Sequence, residues 1–500
     1  MNAVTKAGHY LQRRLPLAAL LLAEESLHQG GPPVAKARAH HIKSIASFQM
    51  GLLEEALEEA RWAVKHAPWR QVEPDVKARL LLNLGLAEYY RGHWQTAEEA
   101  SRSLLRLVSR LPVSLAVSVH LFASAIALAQ DKRRSASHQL KRARSLLEGQ
   151  PASPFVAQLL HNEALLLRAR GRLRAALALL EEARILAEEQ ASQDLWRHEV
   201  DSGHTYLLLK DLPRALQHGL TAWAMLSRQS PSSYPLGIAE ISLLFGKVSW
   251  AAGQREEAIA WLNRAASFFA QTRRMASWRQ AGELLSFILA QPQGRSILPL
   301  DPLWRQKLGD VSRLVSLSDS FYSLTPHLAL QLGAKVQYAL ALHQAAGFPE
   351  GDAETVSLVA RFADVGHFLF GIPAGPFTPL PTDPPVDYRT RAHPEAGRDF
   401  LSLLPLPEAV LGAVAAHHER WDGKGYPRGW SGAEIPDPAR ILLVVDLYLT
   451  LAWPFGSTVP APHDEILAFL EKEAGHSLDP HLVAAFLRLH DIPEEGGDGI

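Results

Sequence analysis

The sequence predicts an all-α protein in two parts, an N-terminal α-solenoid of helical hairpins followed by a second all-helical domain. Three observations predict this. From about Ala37 to Arg274 the chain is almost wholly Ala, Leu, Glu and Arg in a helical period, cut by short Gly or Pro breaks. Small residues recur through that stretch at a fixed spacing. Nowhere in the 500 residues does an apolar/polar alternation run long enough to mark a strand.

The spacing defines the first part. Gly51 precedes Ala56 and Ala63, Gly92 precedes Ala97, Gly171 precedes Ala176 and Ala183, and Gly253 precedes Ala258 and Ala265. Ala136 with Ala143 and Ala215 with Ala222 complete the series, although neither pair has a glycine five residues before it. The anchors at 56, 97, 136, 176, 215 and 258 are thus about 40 residues apart, the range of two-helix repeats. With Leu84-Gly85 in a first helix, Gly92 at the turn and Ala97 in a second, and with Gly203, Tyr206, Ala215 and Ala222 placed likewise, the units resemble tetratricopeptide repeats of longer period. Small residues let paired helices approach closely, so their role is packing. Each hairpin buries its apolar stripe only against its neighbours, which predicts a superhelix with a concave groove for a protein or peptide partner. A spacer or dimerisation rod is the alternative. Trp62, Trp69, Trp94, Trp223, Trp250 and Trp261 fall at helical spacing and read as core.

The expected division is residues 1–290 as the solenoid of six to seven hairpins, 291–302 as linker, 303–491 as the second domain and 492–500 as a tail. The linker is read from Gln291-Pro292-Gln293-Gly294 and Leu298-Pro299-Leu300-Asp301-Pro302, which break the helical pattern. Charge divides at the same place. The overall balance is −1, but the chain carries roughly +10 up to Pro302 and roughly −11 after it. The Arg and Lys of the basic part are scattered through helices and do not cluster, so nucleic acid is not the expected partner. No stretch reaches transmembrane length, and Leu15 to Ala23 contains Pro16 and runs into Glu24-Glu25, so no membrane contact is expected and a cytoplasmic address is. With no cysteine, disulfides and thiolate-held metals are excluded, leaving imidazole and carboxylate as ligands.

In the second part, helical stretches are expected near 304–322, 326–346 and 353–370, then a Pro-rich loop over 373–385, then helices near 393–404, 407–418, 438–452, 463–473 and 480–490. The chemistry concentrates in His417-His418-Glu419-Arg420-Trp421-Asp422-Gly423-Lys424-Gly425-Tyr426-Pro427. Adjacent helix positions lie about 100° apart, so two neighbouring histidines suit a helix end. The Gly and Pro that follow dictate a tight turn.

His417-His418-Glu419, Asp422-Gly423-x-Gly425-Tyr426-Pro427, Gly432-x-Glu434-Ile435-Pro436 and Ala439-Arg440-Ile441-x-x-Val444-x-Asp446 resemble the signature of HD-GYP domains. These are an all-helical branch of the HD metal-dependent phosphohydrolases associated with cyclic di-GMP hydrolysis. Upstream, Ala363-Asp364-Val365-Gly366-His367 stands in the place of the family's His-Asp-x-Gly-Lys, followed by Gly371-Ile372-Pro373, and His393-Pro394-x-x-Gly397 matches its next histidine motif. The resemblance implies Asp364 as a bridging carboxylate, His393, His417 and His418 as holders of one metal, and Asp446 as belonging to the other. It places Tyr426 and Pro427 on a surface loop beside the mouth, with Tyr426 near the substrate; Lys424 and Arg428, basic residues of the same loop, are read as substrate phosphate contacts, with plain solvation as the alternative. Hydrolysing a phosphodiester needs a nucleophile at neutral pH and charge neutralisation, which a metal supplies. This donor set suits iron, manganese, nickel or zinc better than magnesium.

Departures from the pattern are equally specific. The family's histidine before the aspartate is Ala363, its lysine is His367, and its upstream histidine aligns to Gln331, with His327 one turn earlier. After Asp446 the chain reads Trp453-Pro454-Phe455. Alanine cannot ligate, so one divalent transition ion is expected in preference to two. His367 is carried forward with Asp364 as a catalytic candidate, able to donate a nitrogen or contact phosphate. Two functions follow: a phosphodiesterase acting on a cyclic dinucleotide or another phosphoester, or a catalytically inactive adaptor or nucleotide sensor.

Overall fold

A computed structural model describes the chain outside residues 1–2, 14, 51, 69–71, 150–152, 191–194, 228–233, 273, 292–325, 370–387, 405, 454–459 and 492–500. The regular elements among the described residues are all helices, and their only β pairing is one isolated bridge between Ala474 and Leu478. The all-α expectation therefore holds. The expected linker, the helix near 304–322, the Pro-rich loop and the tail lie outside the described residues. Among the described helices none is long and apolar enough to cross a membrane.

Six hairpins carry the six anchors. Their second helices are Leu53–His66, Trp94–Leu105, Arg133–Leu147, Leu173–Glu189, Leu212–Ser227 and Arg255–Gln271. Ala56, Ala97, Ala136, Ala176, Ala215 and Ala258 are each fully buried in them, as are Ala63, Ala143, Ala183, Ala222 and Ala265 seven residues on in the same helices. The reason is contact distance, since a methyl group at these positions lets the partner helix approach to the backbone. The described turns of five hairpins carry a left-handed residue, and in three of them Gly92, Gly171 and Gly253 supply it at φ 83°, 76° and 77°. Where the sequence has no glycine five residues before the anchor, the turn is unchanged: Asp131 and Lys210 adopt φ 54° and 62°. Of the tryptophans read as core, Trp261 is buried, whereas Trp62, Trp94, Trp223 and Trp250 are half-buried, and Trp69 is not described.

Helices Ala3–Gln12, Pro16–Gln29 and Pro33–Gln49 do something the repeat pattern does not suggest. Their buried residues Ala7, Tyr10, Leu17, Ala18 and Leu22 belong to one continuous core with Val336, Tyr338, Val444, Tyr448 and Phe486 of the second part. Tyr10 Oη donates to the carbonyl of His490 at 2.9 Å, the Ala18 amide donates to Tyr338 Oη at 3.2 Å, and Lys6 pairs with Asp464 at 3.2 Å. The chain's beginning and its C-terminal helices are thus one packed body.

In the second part Pro326–Ala345, Ala353–Phe362, Tyr388–Leu401, Glu408–Ala415, Asp437–Ala452, His463–Glu473 and Pro480–His490 form the bundle. Asp437–Ala452 is its central helix, with eleven buried residues. The stretch expected as one helix over 353–370 is broken: after Phe362 comes a 3-10 turn, Ala363–Val365, and then the short helix Gly366–Leu369.

Candidate metal centre

Asp364 sits on that 3-10 turn, held against the Tyr388–Leu401 helix. Gly366 makes the approach possible, because a Cβ there would lie 1.9 Å from the carbonyl oxygen of His393. Pro394 then explains the orientation of His393. Proline has no N–H, so the carbonyl of Thr390, four residues back, loses its helical donor. The His393 Nδ1–H takes that acceptor at 2.6 Å. His417 is fixed in the same way at a helix end. Glu408–Ala415 stops just before it, and its Nδ1–H donates to the Val414 carbonyl at 2.6 Å. The paired histidines do lie at a helix end, as their adjacency implied.

With both ring protons committed to carbonyls, the Nε2 lone pairs of His393 and His417 face each other 3.1 Å apart. Each is 3.8 Å from Asp364 Oδ1. His418 completes the set, and its buried Nε2 has no hydrogen-bond partner. One donor atom from each of Asp364, His393, His417 and His418 lies within 4.8 Å of all the others. Lone pairs converging in a buried space repel unless a cation stands between them. The backbone carbonyls behind His393 and His417 are the usual outer partners of metal-binding imidazoles. The four residues therefore fit a divalent transition ion, and their nitrogen-rich donor set fits iron, manganese, nickel or zinc. Burial depresses the pKa of His393 and His418, so both imidazoles are neutral and their lone pairs are available.

Asp446 is not in this set. It is buried on the Asp437–Ala452 helix and pairs at 2.9 Å with the Nζ of Lys335, which also lies 2.8 Å from Asp364 Oδ2. Lys335 is 1% exposed. Burial opposes its charge, but the two carboxylates outweigh burial and raise its pKa. Although burial raises Asp364's pKa, Lys335 and then His417 hold it well below the usual carboxylate range. Burial pushes Asp446 up to about 6 despite Lys335. Lys335 was missed in the sequence. The signal was there, as a lysine between Ala334 and Val336 in an apolar helical run requires a buried partner.

The remaining candidates fall into two groups. His367 lies against the cluster with its ring stacked on His393 at 3.7 Å, and its buried Nδ1 is without a partner. It is not one of the four converging donors. Ala363 is fully buried in the core. The side chains of His327 and Gln331 lie outside the described residues. Lys424 and Arg428 are on the exposed loop, Arg428 with its guanidinium 4.7 Å over Trp430.

Tyr426 requires a correction. It was expected on a surface loop, yet only 3% of it is exposed, and its ring stacks on His418 at 4.8 Å. The turn is folded inward because Gly425 packs directly on the backbone of His418 to Arg420, where a Cβ would come within 2.6 Å of three backbone atoms. Buried Glu419 fastens the far side, accepting from the amides of Arg428 at 2.7 Å and Trp430 at 3.0 Å. The motif's carboxylate therefore holds the loop.

Residues 383–482 match the family model described as an HD domain. A cyclic di-GMP phosphodiesterase of Thermotoga maritima is 38% identical over 101 residues, covering 20% of this chain and 27% of that protein. The cyclic di-GMP phosphodiesterase response regulator RpfG of Xanthomonas campestris is 39% identical over 102 residues, covering 20% and 26%. The chain thus spans about a quarter of the length of these relatives. A 3'3'-cGAMP-specific phosphodiesterase of Vibrio cholerae is 54% identical over 65 residues, 13% of this chain and 15% of that one. Among solved structures, a tetratricopeptide repeat protein from Parabacteroides merdae covers 57% of this chain and 97% of its own at 14% identity and a TM-score of 0.39. A likeness at that level adds nothing to what the six hairpins themselves display.

Proposed function

We propose that this chain, an HD-GYP-type HD domain preceded by tetratricopeptide-like hairpins, is a metal-dependent phosphodiesterase acting on a cyclic dinucleotide, with its repeat array serving as a partner-binding module. The carrying observation is the convergence of Asp364, His393, His417 and His418 on one buried point with two Nδ1 protons tied to backbone carbonyls. A divalent transition ion held there supplies positive charge for the phosphodiester oxygens and a nucleophile at neutral pH.

The chain's own residues do the rest. Asp364 presents Oδ1 to the histidines while Lys335 holds Oδ2. Tyr426 keeps the His418 ring in place by stacking, which is its role in this reading in place of touching substrate. His367, its pKa lowered by burial, is neutral, and its unpartnered Nδ1 is the group available to exchange a proton with the leaving oxygen. Lys424 and Arg428 on the exposed loop are the cations placed to meet phosphate from the solvent side. In the repeat array a cavity of about 940 Å³ is lined by Tyr89, Tyr90, His161, Asp201, Glu240 and Arg274, giving a protein partner in the cytosol both apolar and charged contacts.

Ala363 favours a second reading. Fully buried and unable to ligate, it is compatible with an adaptor or nucleotide sensor that binds without hydrolysis. One experiment separates the two. Metal content and turnover of cyclic di-GMP and 3'3'-cGAMP are measured for the wild type and for the double variant His417→Ala/His418→Ala. The phosphodiesterase reading expects metal and hydrolysis in the first and neither in the second. Equal, background hydrolysis in both eliminates it.

A further inference from the structure

Two carboxylates, half-buried Asp364 and buried Asp446, share a single cation, and that cation is part of the chain. We propose that Lys335 acts as a built-in second cation which saturates these carboxylates, so that the site accepts one divalent ion and Asp446 ligates none. This deepens the metal-site reading above and rests on it. The Lys335 ammonium lies 2.8 Å from Asp364 Oδ2 and 2.9 Å from Asp446 Oδ1, with 1% of its side chain exposed. The Asp446 side chain is 9% exposed. A buried carboxylate without a counter-charge is costly, and an ammonium answers two of them at once without a coordination shell.

The two oxygens of Asp364 are thereby divided. Oδ2 belongs to Lys335, and Oδ1 faces His393 and His417 at 3.8 Å each. Lys335 is in this sense a positioning residue: it fixes the carboxylate with one oxygen turned to the three imidazoles. The packing on the other side agrees, because Ala363 fills core volume next to Asp364 and contributes no donor. Ala363 takes away one donor a second ion could use, and a cation fixed by the Pro326–Ala345 helix occupies the two carboxylates that would otherwise remain for it. A lysine also cannot be stripped by a chelator, so about one third of the site's positive charge, one of three units, stays when the divalent ion is removed.

The test is a Mn²⁺ count on the full-length chain after chelator treatment, by equilibrium dialysis with metal analysis, together with the electron paramagnetic resonance spectrum. Wild type should bind one Mn²⁺ with the spectrum of an isolated ion. Asp446→Asn should also bind one, and Lys335→Arg, which keeps the charge, should stay at one. Lys335→Gln should rise to two, with an exchange-coupled spectrum. A wild-type count of two, a loss of the ion in Asp446→Asn, or a folded Lys335→Gln that remains at one would each overturn the proposal. A wild-type count of zero would instead remove the metal-site reading itself. If Lys335→Gln fails to fold, the wild-type and Asp446→Asn counts still decide.

Discussion

His393 is oriented by a missing hydrogen. Pro394 cannot donate to Thr390, and the imidazole takes the vacated carbonyl at 2.6 Å. Pro394→Ala restores a backbone donor that competes for that oxygen, so the ring loosens. The expected outcome is a roughly 10-fold weaker metal affinity, the scale of lost outer-shell partners, measured by competition with a chelator. An unchanged affinity would mean that Nδ1 is held by something other than that carbonyl. His367→Gln should keep the metal count while lowering turnover by about 10²-fold, the usual loss for a proton-transfer group. A drop in metal content would make His367 a ligand instead. At this scale the sequence was readable wherever a residue's neighbours fixed its place, as with His417, His418 and His393. It was misleading for Tyr426, because the loop's inward fold depends on the close contact of Gly425 and on Glu419 reaching Arg428 and Trp430. Lys335 was overlooked because its partners lie 29 and 111 residues along the chain, at Asp364 and Asp446.

The hairpins were the most legible elements. Alanines seven residues apart are fully buried in five of the six second helices, and in the sixth Ala97 is followed at that spacing by buried Leu104, so the spacing located six helix pairs. The glycine signal was less complete because the turn geometry, and not the residue, is what repeats. Asp131 and Lys210 pay a steric cost in the left-handed region that Gly92, Gly171 and Gly253 avoid. Asp131→Gly and Lys210→Gly should therefore each stabilise the array by about 1 kcal/mol, less the entropy glycine adds to the unfolded chain. Thermal melts of each single variant check this, and a lower melting temperature in both would show that local side-chain contacts outweigh the backbone strain. The helix expected over 353–370 was mistaken for a different reason. Its apolar period continues through Phe370, but Gly366 must press on His393 to bring Asp364 to the histidines, and a straight helix would not place it there.

The whole molecule is closed by a contact between its two ends that no local pattern announces. Tyr10, His463, His490, Tyr338, Tyr448 and Phe486 form one aromatic cluster between the first helix and the last two. Burial lowers the pKa of His463 to about 4 and of His490 to about 3. Both values are depressed below the ordinary 6.5, so the folded state binds fewer protons than the unfolded state. The stability they contribute is complete above about pH 6.5 and is lost as pH falls towards 4 and then 3, by about 1.4 kcal/mol per pH unit for each histidine across its window. Melting temperatures between pH 7 and pH 4.5 should fall, and more gently in His490→Asn. Equal slopes would place the acid sensitivity elsewhere. Removing residues 1–52 should expose the core shared with Tyr338 and Phe486 and lower the melting temperature of the C-terminal helices. An unchanged transition would contradict the single core.

The central claim, a single divalent ion held by three histidines and one aspartate, is tested most directly by X-ray absorption spectroscopy of the full-length chain loaded with Zn²⁺. The account predicts scattering from about three imidazoles and an oxygen ligand per ion, with no metal–metal contribution. A metal–metal vector near 3.5–4 Å, the spacing of two-metal sites, or a shell without imidazole scattering, would contradict it.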